Sequence, residues 1–171
     1  MPTSDVDAAR LLEVLERHDV DYVVIGGFAI ELHDVAVPPT RDVDITPERS
    51  PANLRRLAAA LRELDARLRV PDDPAGVAVP HGIDAGWLTE LATLTLVTTA
   101  GPLDVSMQPA GTSGYDDLVR NRVEIRVGER LVPVAALEDV LRSKEAAGRA
   151  KDILVLPALR AHLRRHHRGT D

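Results

Sequence analysis

Asp42 and Asp44 stand two residues apart in the run Thr40-Arg41-Asp42-Val43-Asp44-Ile45. Alternate side chains of a strand share one face, so the two carboxylates aim together. Upstream, Tyr22-Val23-Val24-Ile25 is a short apolar run that ends on Gly26-Gly27. Without side chains, these glycines leave the backbone open to close approach by a ligand. Two carboxylates side by side repel unless a cation joins them. A divalent ion carrying a nucleoside triphosphate accounts for both halves of the pattern. Each half also has a plainer reading: a glycine pair alone is equally a tight turn, and an isolated Asp-x-Asp is equally a solvated strand end.

Asp104 adds to the pattern. Leu103, Val105 and Met107 share one face of their strand, and Asp104 and Ser106 share the other. An aspartate central to an apolar strand needs a reason. If that strand lies beside 41–45, three carboxylates converge, an oxygen donor set suited to one or two Mg²⁺ ions, or to Mn²⁺ in their place. Lys144 follows Val140 and Leu141 by four and three residues and so continues their stripe toward the protein. There it either snorkels to the surface or meets an anion. Arg149, Lys151 and Asp152 come within two further turns, and a helix laced by ion pairs is the alternative.

Several chemistries lack their signatures. The glycines do not continue into G-x-G-x-x-G, and no G-x-x-x-x-G-K-[ST] loop occurs. His162 and His166 are four apart without the glutamate of H-E-x-x-H, and no serine stands in G-x-S-x-G. The chain has no cysteine, which removes disulfides, thiolate metal sites and cysteine nucleophiles. Aromatic residues make up 2%, too few for a base-stacking platform.

These side chains need a scaffold. A first helix is expected from a cap at Thr3 or Ser4 to about His18, then a strand over Tyr22–Ile25 and a short helix over Phe28–His33. Pro38-Pro39 extends the chain into a strand over Arg41–Thr46. A helix starting at Pro51 carries Leu54, Leu57, Leu61, Leu64 and Leu68 at helical spacing. The stretch 71–86, with its prolines and glycines, reads as a loop. Strands follow over Ala92–Thr99 and Leu103–Met107, then a hairpin of Arg122–Val127 and Leu131–Val134 around Gly128-Glu129. A helix is predicted from Leu137 toward Leu156, with a last one starting at Pro157. Interleaved strands and helices followed by hairpins predict an α+β (mixed α/β) fold, a central mixed sheet flanked by helices. The 171 residues suit one domain, with a core over about 20–134 and helices over about 135–168.

Apolar residues reach 44%, enough for a core. No run is long enough to span a membrane and the acidic start does not resemble a signal peptide, so the expected location is cytoplasmic. Residues 142–168 hold eight Lys/Arg against two Asp/Glu in a chain of net charge −6, which leaves about −12 for the remainder. Such a basic end either attracts a polyanion or is a solvated helix face.

Gly26-Gly27-Phe28-Ala29, His33, Thr40-Arg41-Asp42-Val43-Asp44 and 143–152 (Ser-Lys-Glu-Ala-Ala-Gly-Arg-Ala-Lys-Asp) together resemble the nucleotidyltransferases of the DNA polymerase β superfamily, in the minimal branch related to the AbiEii and MenT toxins. The resemblance runs from about Val20 to Leu163. It implies Mg²⁺-dependent transfer of a nucleoside monophosphate from an NTP with release of pyrophosphate. By resemblance, Gly26, Gly27, Thr40 and Lys144 contact the triphosphate, Asp42, Asp44 and Asp104 hold the metal, and Arg149 and Asp152 complete the pocket. Asp104 is the carboxylate placed to activate the acceptor hydroxyl. The branch further implies an RNA acceptor, the 3′ end of tRNA, and an antitoxin protein partner; related enzymes modify antibiotics or proteins, and a catalytically silent member serving as a binding module or antitoxin partner is the alternative of a different class. The chain departs from the pattern at Gly27, where many relatives have serine, and at Pro38, where they often have arginine.

Overall fold

A computed structural model describes residues 6–169. Thr3 and Ser4 lie outside the described residues. Helix α1 (Ala8–Arg17) is capped by Asp7, whose carboxylate accepts from the Arg10 backbone N–H at 3.0 Å. It buries Leu11, Leu12, Val14 and Leu15. Strand β1 (Tyr22–Ile25) leads into α2 (Gly26–Leu32), which takes in both glycines rather than starting at Phe28. Strand β2 (Val43–Pro47) and α3 (Pro51–Glu63, capped by Ser50) follow. Buried Asn53 ties the two connections together: it accepts from Asp21 N–H at 2.8 Å and donates to the carbonyls of Asp21 and Glu48 at 2.9 and 2.7 Å.

Here the sequence expectation fails. The Leu-x-x-Leu spacing carries α3 only to Glu63; Asp65 turns left-handed (φ 47°), and Leu68 belongs to strand β3 (Arg67–Val70). Part of the expected loop is a strand, β4 (Asp73–Val77), paired antiparallel to β3. Pro74 is tolerated because β4 is a sheet edge. Asp84 then caps the short α4 (Ala85–Thr89). Strands β5 (Thr93–Thr98) and β6 (Gly101–Ser106) form the expected hairpin, and α5 (Tyr115–Leu118) is an addition no periodicity announced. Strands β7 (Val123–Val127) and β8 (Arg130–Val134) pair around Gly128-Glu129.

Helix α6 (Leu137–Ala147) stops at Gly148, which is left-handed at φ 61°, and α7 (Ala150–His167) begins at once. Leu156 therefore lies in α7, and Pro157 stands inside α7 instead of starting a helix. Proline removes one i→i−4 bond. The orphaned carbonyl belongs to Ile153, a residue 55% exposed, so water can satisfy it.

The described strands form one mixed sheet in the order β4-β3-β5-β6-β2-β1-β8-β7. Its pairs are antiparallel except β2 with β6 and β1 with β8. Val43, Ile45, Leu103 and Val105, on one face of β2 and β6, are fully buried in the core. The opposite face is left for Asp44 and Asp104. No helix among the described residues is long and apolar enough to cross a membrane.

Candidate active site

The parallel pairing of β2 with β6 puts Asp44 directly opposite Asp104. Asp42 approaches from the segment just before β2. One carboxylate oxygen from each of the three lies within 4.8 Å of the others. Thr40 orients Asp42: its hydroxyl donates to Asp42 Oδ1 at 2.9 Å. The triad opens on a cleft of about 740 Å³. Gly26 and Gly27 border it on one side; Lys144, Arg149, Lys151 and Asp152 border it on another. Thr93, Thr95 and Ser106 form part of its floor beside Asp104.

Both glycines sit in close contact with the residues that carry the site. Gly26 is left-handed (φ 65°), and a Cβ there would stand 2.9 Å from Asp44 Cγ. A Cβ on Gly27 would come within 3.2 Å of Thr40 Oγ1, so this glycine leaves room for the hydroxyl that steadies Asp42.

Three acids so close cannot all ionise freely. Burial, with the Asp42 and Asp104 charges adding to it, raises the Asp44 carboxyl to about 7; Lys144 and Lys151 oppose the rise. Asp104 is also raised, chiefly by burial and then by Asp42, while Arg69 pulls the other way. Asp104 Oδ1 is buried without a properly aligned hydrogen-bond donor. An all-oxygen donor set of three close acids fits a hard divalent cation, and the residues present thus fit Mg²⁺ or Mn²⁺.

Lys144 comes from α6, and fully buried Asp152 of α7 holds its ammonium at 2.9 Å. The other oxygen of Asp152 accepts from Arg149 Nε at 2.7 Å and from the Arg149 backbone N–H at 3.2 Å. Burial works against ionising Asp152, but the hydrogen bonds from Arg149 and Lys144 outweigh it and hold the carboxyl below its ordinary range. Asp152 is thus committed to positioning Lys144 at the cleft wall. His33 ends α2 with Nε2 2.8 Å from the Ala135 carbonyl, a packing contact that joins α2 to the chain entering α6. His162 and His166 stack on α7, and among the described residues they belong to no group of acids and histidines that could hold a metal.

Sequence reasoning passed over Arg69, which reaches the triad from β3: Nη2 is 3.3 Å from Asp104 Oδ1 and Nη1 is 3.9 Å from Asp42 Oδ2. The signal was hidden because 64–70 read as the end of a helix. Lys151, named only as a neighbour of Lys144, also lines the cleft.

No family model and no curated protein matches the chain. Solved structures do. The lincosamide antibiotic adenylyltransferase LnuA, solved with lincomycin bound, is 15% identical with a TM-score of 0.61, over 90% of this chain and 94% of LnuA. ANT(2″)-Ia in complex with adenylyl-2″-tobramycin is 14% identical with a TM-score of 0.55, over 91% and 87%. The candidate nucleotidyltransferase TM1012 from Thermotoga maritima is 15% identical with a TM-score of 0.54, over 88% of each chain. At such identities the likeness is one of architecture, and the mixed sheet with its flanking helices is a nucleotidyltransferase-type fold.

Proposed function

We propose that this chain is a nucleotidyltransferase that moves a nucleoside monophosphate from an NTP to an acceptor hydroxyl. The observation that carries the reading is the Asp42–Asp44–Asp104 triad within 4.8 Å, facing a cleft walled by Gly26-Gly27 and Lys144. Asp42, Asp44 and Asp104 would hold Mg²⁺, which when bound neutralises phosphate charge and supports in-line displacement. The bare backbone at Gly26 and Gly27 leaves space for the triphosphate, and Lys144 supplies a fixed positive charge beside it. Asp104, raised by burial, is suited to take the acceptor's proton as its oxygen attacks the α-phosphorus. The bond from that phosphorus to the bridging oxygen breaks, and pyrophosphate leaves. Asp152 positions Lys144, and Thr40 positions Asp42.

The acceptor we assign first is RNA, the 3′ end of a tRNA, in a toxin of the AbiEii/MenT kind with an antitoxin partner. It is motivated by α7, which starts at the cleft with Lys151 and carries exposed Arg160, Arg164 and Arg165, with exposed Arg168 just past its end. A backbone-tracking row of this sort suits a polyanion. A second reading, a small hydroxylated acceptor such as an antibiotic, is favoured by the threonine and serine floor beside Asp104 and by the acceptors of LnuA and ANT(2″)-Ia. Incubation with α-labelled NTPs, Mg²⁺, total RNA and a panel of aminoglycosides and lincosamides separates them. Label in RNA supports the first, label in a small molecule the second, and no transfer to any acceptor or protein contradicts both.

A further inference from the structure

The register of the sheet brings Arg69 to the acidic cluster. Leu68 pairs with Leu96, so one step on, Arg69 stands opposite Thr95; Thr95 pairs with Asp104, and Asp104 with Asp44. One cross-strand row thus carries an arginine, a threonine and two aspartates. The Arg69 side chain is 33% exposed and crosses Thr95 to reach Asp104 and Asp42. Its Nη2 also donates to the Leu96 carbonyl at 3.1 Å, which anchors the planar head. Lys144, by contrast, is spoken for by Asp152. Among the described residues Arg69 is the cation that ion-pairs with the triad, and it touches one edge of it: Asp42 and Asp104 pair with it, and Asp44 does not.

We propose that Arg69 is the resident counter-cation of the Asp42–Asp104 edge, a positioning residue that holds these two carboxylates together before metal arrives and weakens divalent-ion binding on that edge relative to Asp44. The proposal rests on the metal-site reading above. Two physical effects follow from one charge. Three unneutralised carboxylates repel, so the arginine stabilises the metal-free protein. The same charge repels an incoming dication, so it lowers affinity there. A merely structural arginine would produce the first effect without the second. The fixed fork of the guanidinium suits two carboxylates at once in a way a lysine does not.

The test is Mn²⁺ titration, followed by electron paramagnetic resonance, with thermal unfolding in EDTA, on wild type, Arg69→Gln and Arg69→Lys. Arg69→Gln is expected to bind Mn²⁺ about tenfold more tightly at the Asp42–Asp104 edge and to unfold about 4 °C lower without metal. Arg69→Lys keeps the charge but loses the fork. It is expected to hold Mn²⁺ affinity near that of wild type while losing part of the metal-free stability, and it decides the matter if the glutamine variant does not fold. Normal Mn²⁺ uptake by wild type, with Arg69→Gln (or Arg69→Lys alone) the same in both measurements, overturns the role of Arg69 only. Arg69→Gln that loses stability without gaining affinity also overturns it. No Mn²⁺ uptake by any of the proteins overturns it together with the metal-site reading.

Discussion

Replacing Asp44 with asparagine should stabilise the metal-free protein while abolishing its chemistry. The Asp44 carboxyl is raised from its ordinary 3.8 to about 7 by burial and by Asp42 and Asp104. The fold therefore favours the protonated acid. A raised acid contributes stability that is fully present below the unfolded value and is lost as pH climbs to the folded one. Metal-free wild type should weaken between about pH 4 and pH 7 and level off above. A difference of about three pH units corresponds to about 4 kcal/mol at most. Water entry and local relaxation reduce that, and about 2 kcal/mol is the working expectation, or about 4–8 °C in Tm for a chain of this size. Asparagine is an uncharged near-isostere and escapes the penalty. Differential scanning calorimetry of both proteins in EDTA from pH 5 to pH 8 should show the gap widening as pH rises. Saturating Mg²⁺ should then stabilise wild type far more than Asp44→Asn. Parallel pH profiles in EDTA, with no gap at pH 8, would refute the reasoning.

Four further outcomes follow from the same geometry. Asp42→Asn and Asp104→Asn should each lower the rate of NMP transfer by about 10²–10³-fold, on the scale of a lost preorganised electrostatic group, measured by single-turnover assay in fold-intact protein. Gly26→Ala puts a methyl against Asp44 at a left-handed residue; it should destabilise by about 1–2 kcal/mol and weaken Mn²⁺ binding, read by urea unfolding and calorimetry. Asp152→Ala leaves a half-buried Lys144 unpaired and should cost about 3 kcal/mol; Lys144→Met in the same background should restore much of that stability without restoring activity. Asn53→Ala strands the Asp21 N–H and two carbonyls and should cost about 2–3 kcal/mol in chemical denaturation with transfer activity per folded molecule unchanged.

The portions of the fold legible in the sequence were those where one physical rule dominated. Tyr22–Ile25 ends at two glycines, and Asp104 alternates with buried residues, so strand identity and the inward face were both readable. The neighbour relation of β2 and β6 is a long-range fact. It stood in the sequence only as a condition, that if the strands were adjacent the acids would meet, and the parallel pairing met that condition. Segment 64–77 was misread because leucines at helical spacing look alike whether the last of them continues a helix or opens a strand, and because Pro74 and Gly76 are typical of loops as well as of edge strands. Arg69 was lost with it. Pro157 misled for the opposite reason: a proline starts helices often, but an exposed turn tolerates one inside. The Asp152–Lys144 pair bridges two helices broken at Gly148, an arrangement that spacing along one continuous helix did not foresee.

The most direct measurement of the central claim follows two labels on the same nucleotide. Wild type and Asp42→Asn are incubated with Mg²⁺, acceptor RNA and small-molecule acceptors, once with α-³²P-NTP and once with γ-³²P-NTP. The account predicts that α-label enters the acceptor, that γ-label appears as pyrophosphate, and that Asp42→Asn does both about 10²–10³-fold more slowly. Transfer of γ-label to the acceptor, or equal transfer by the two proteins, would contradict it.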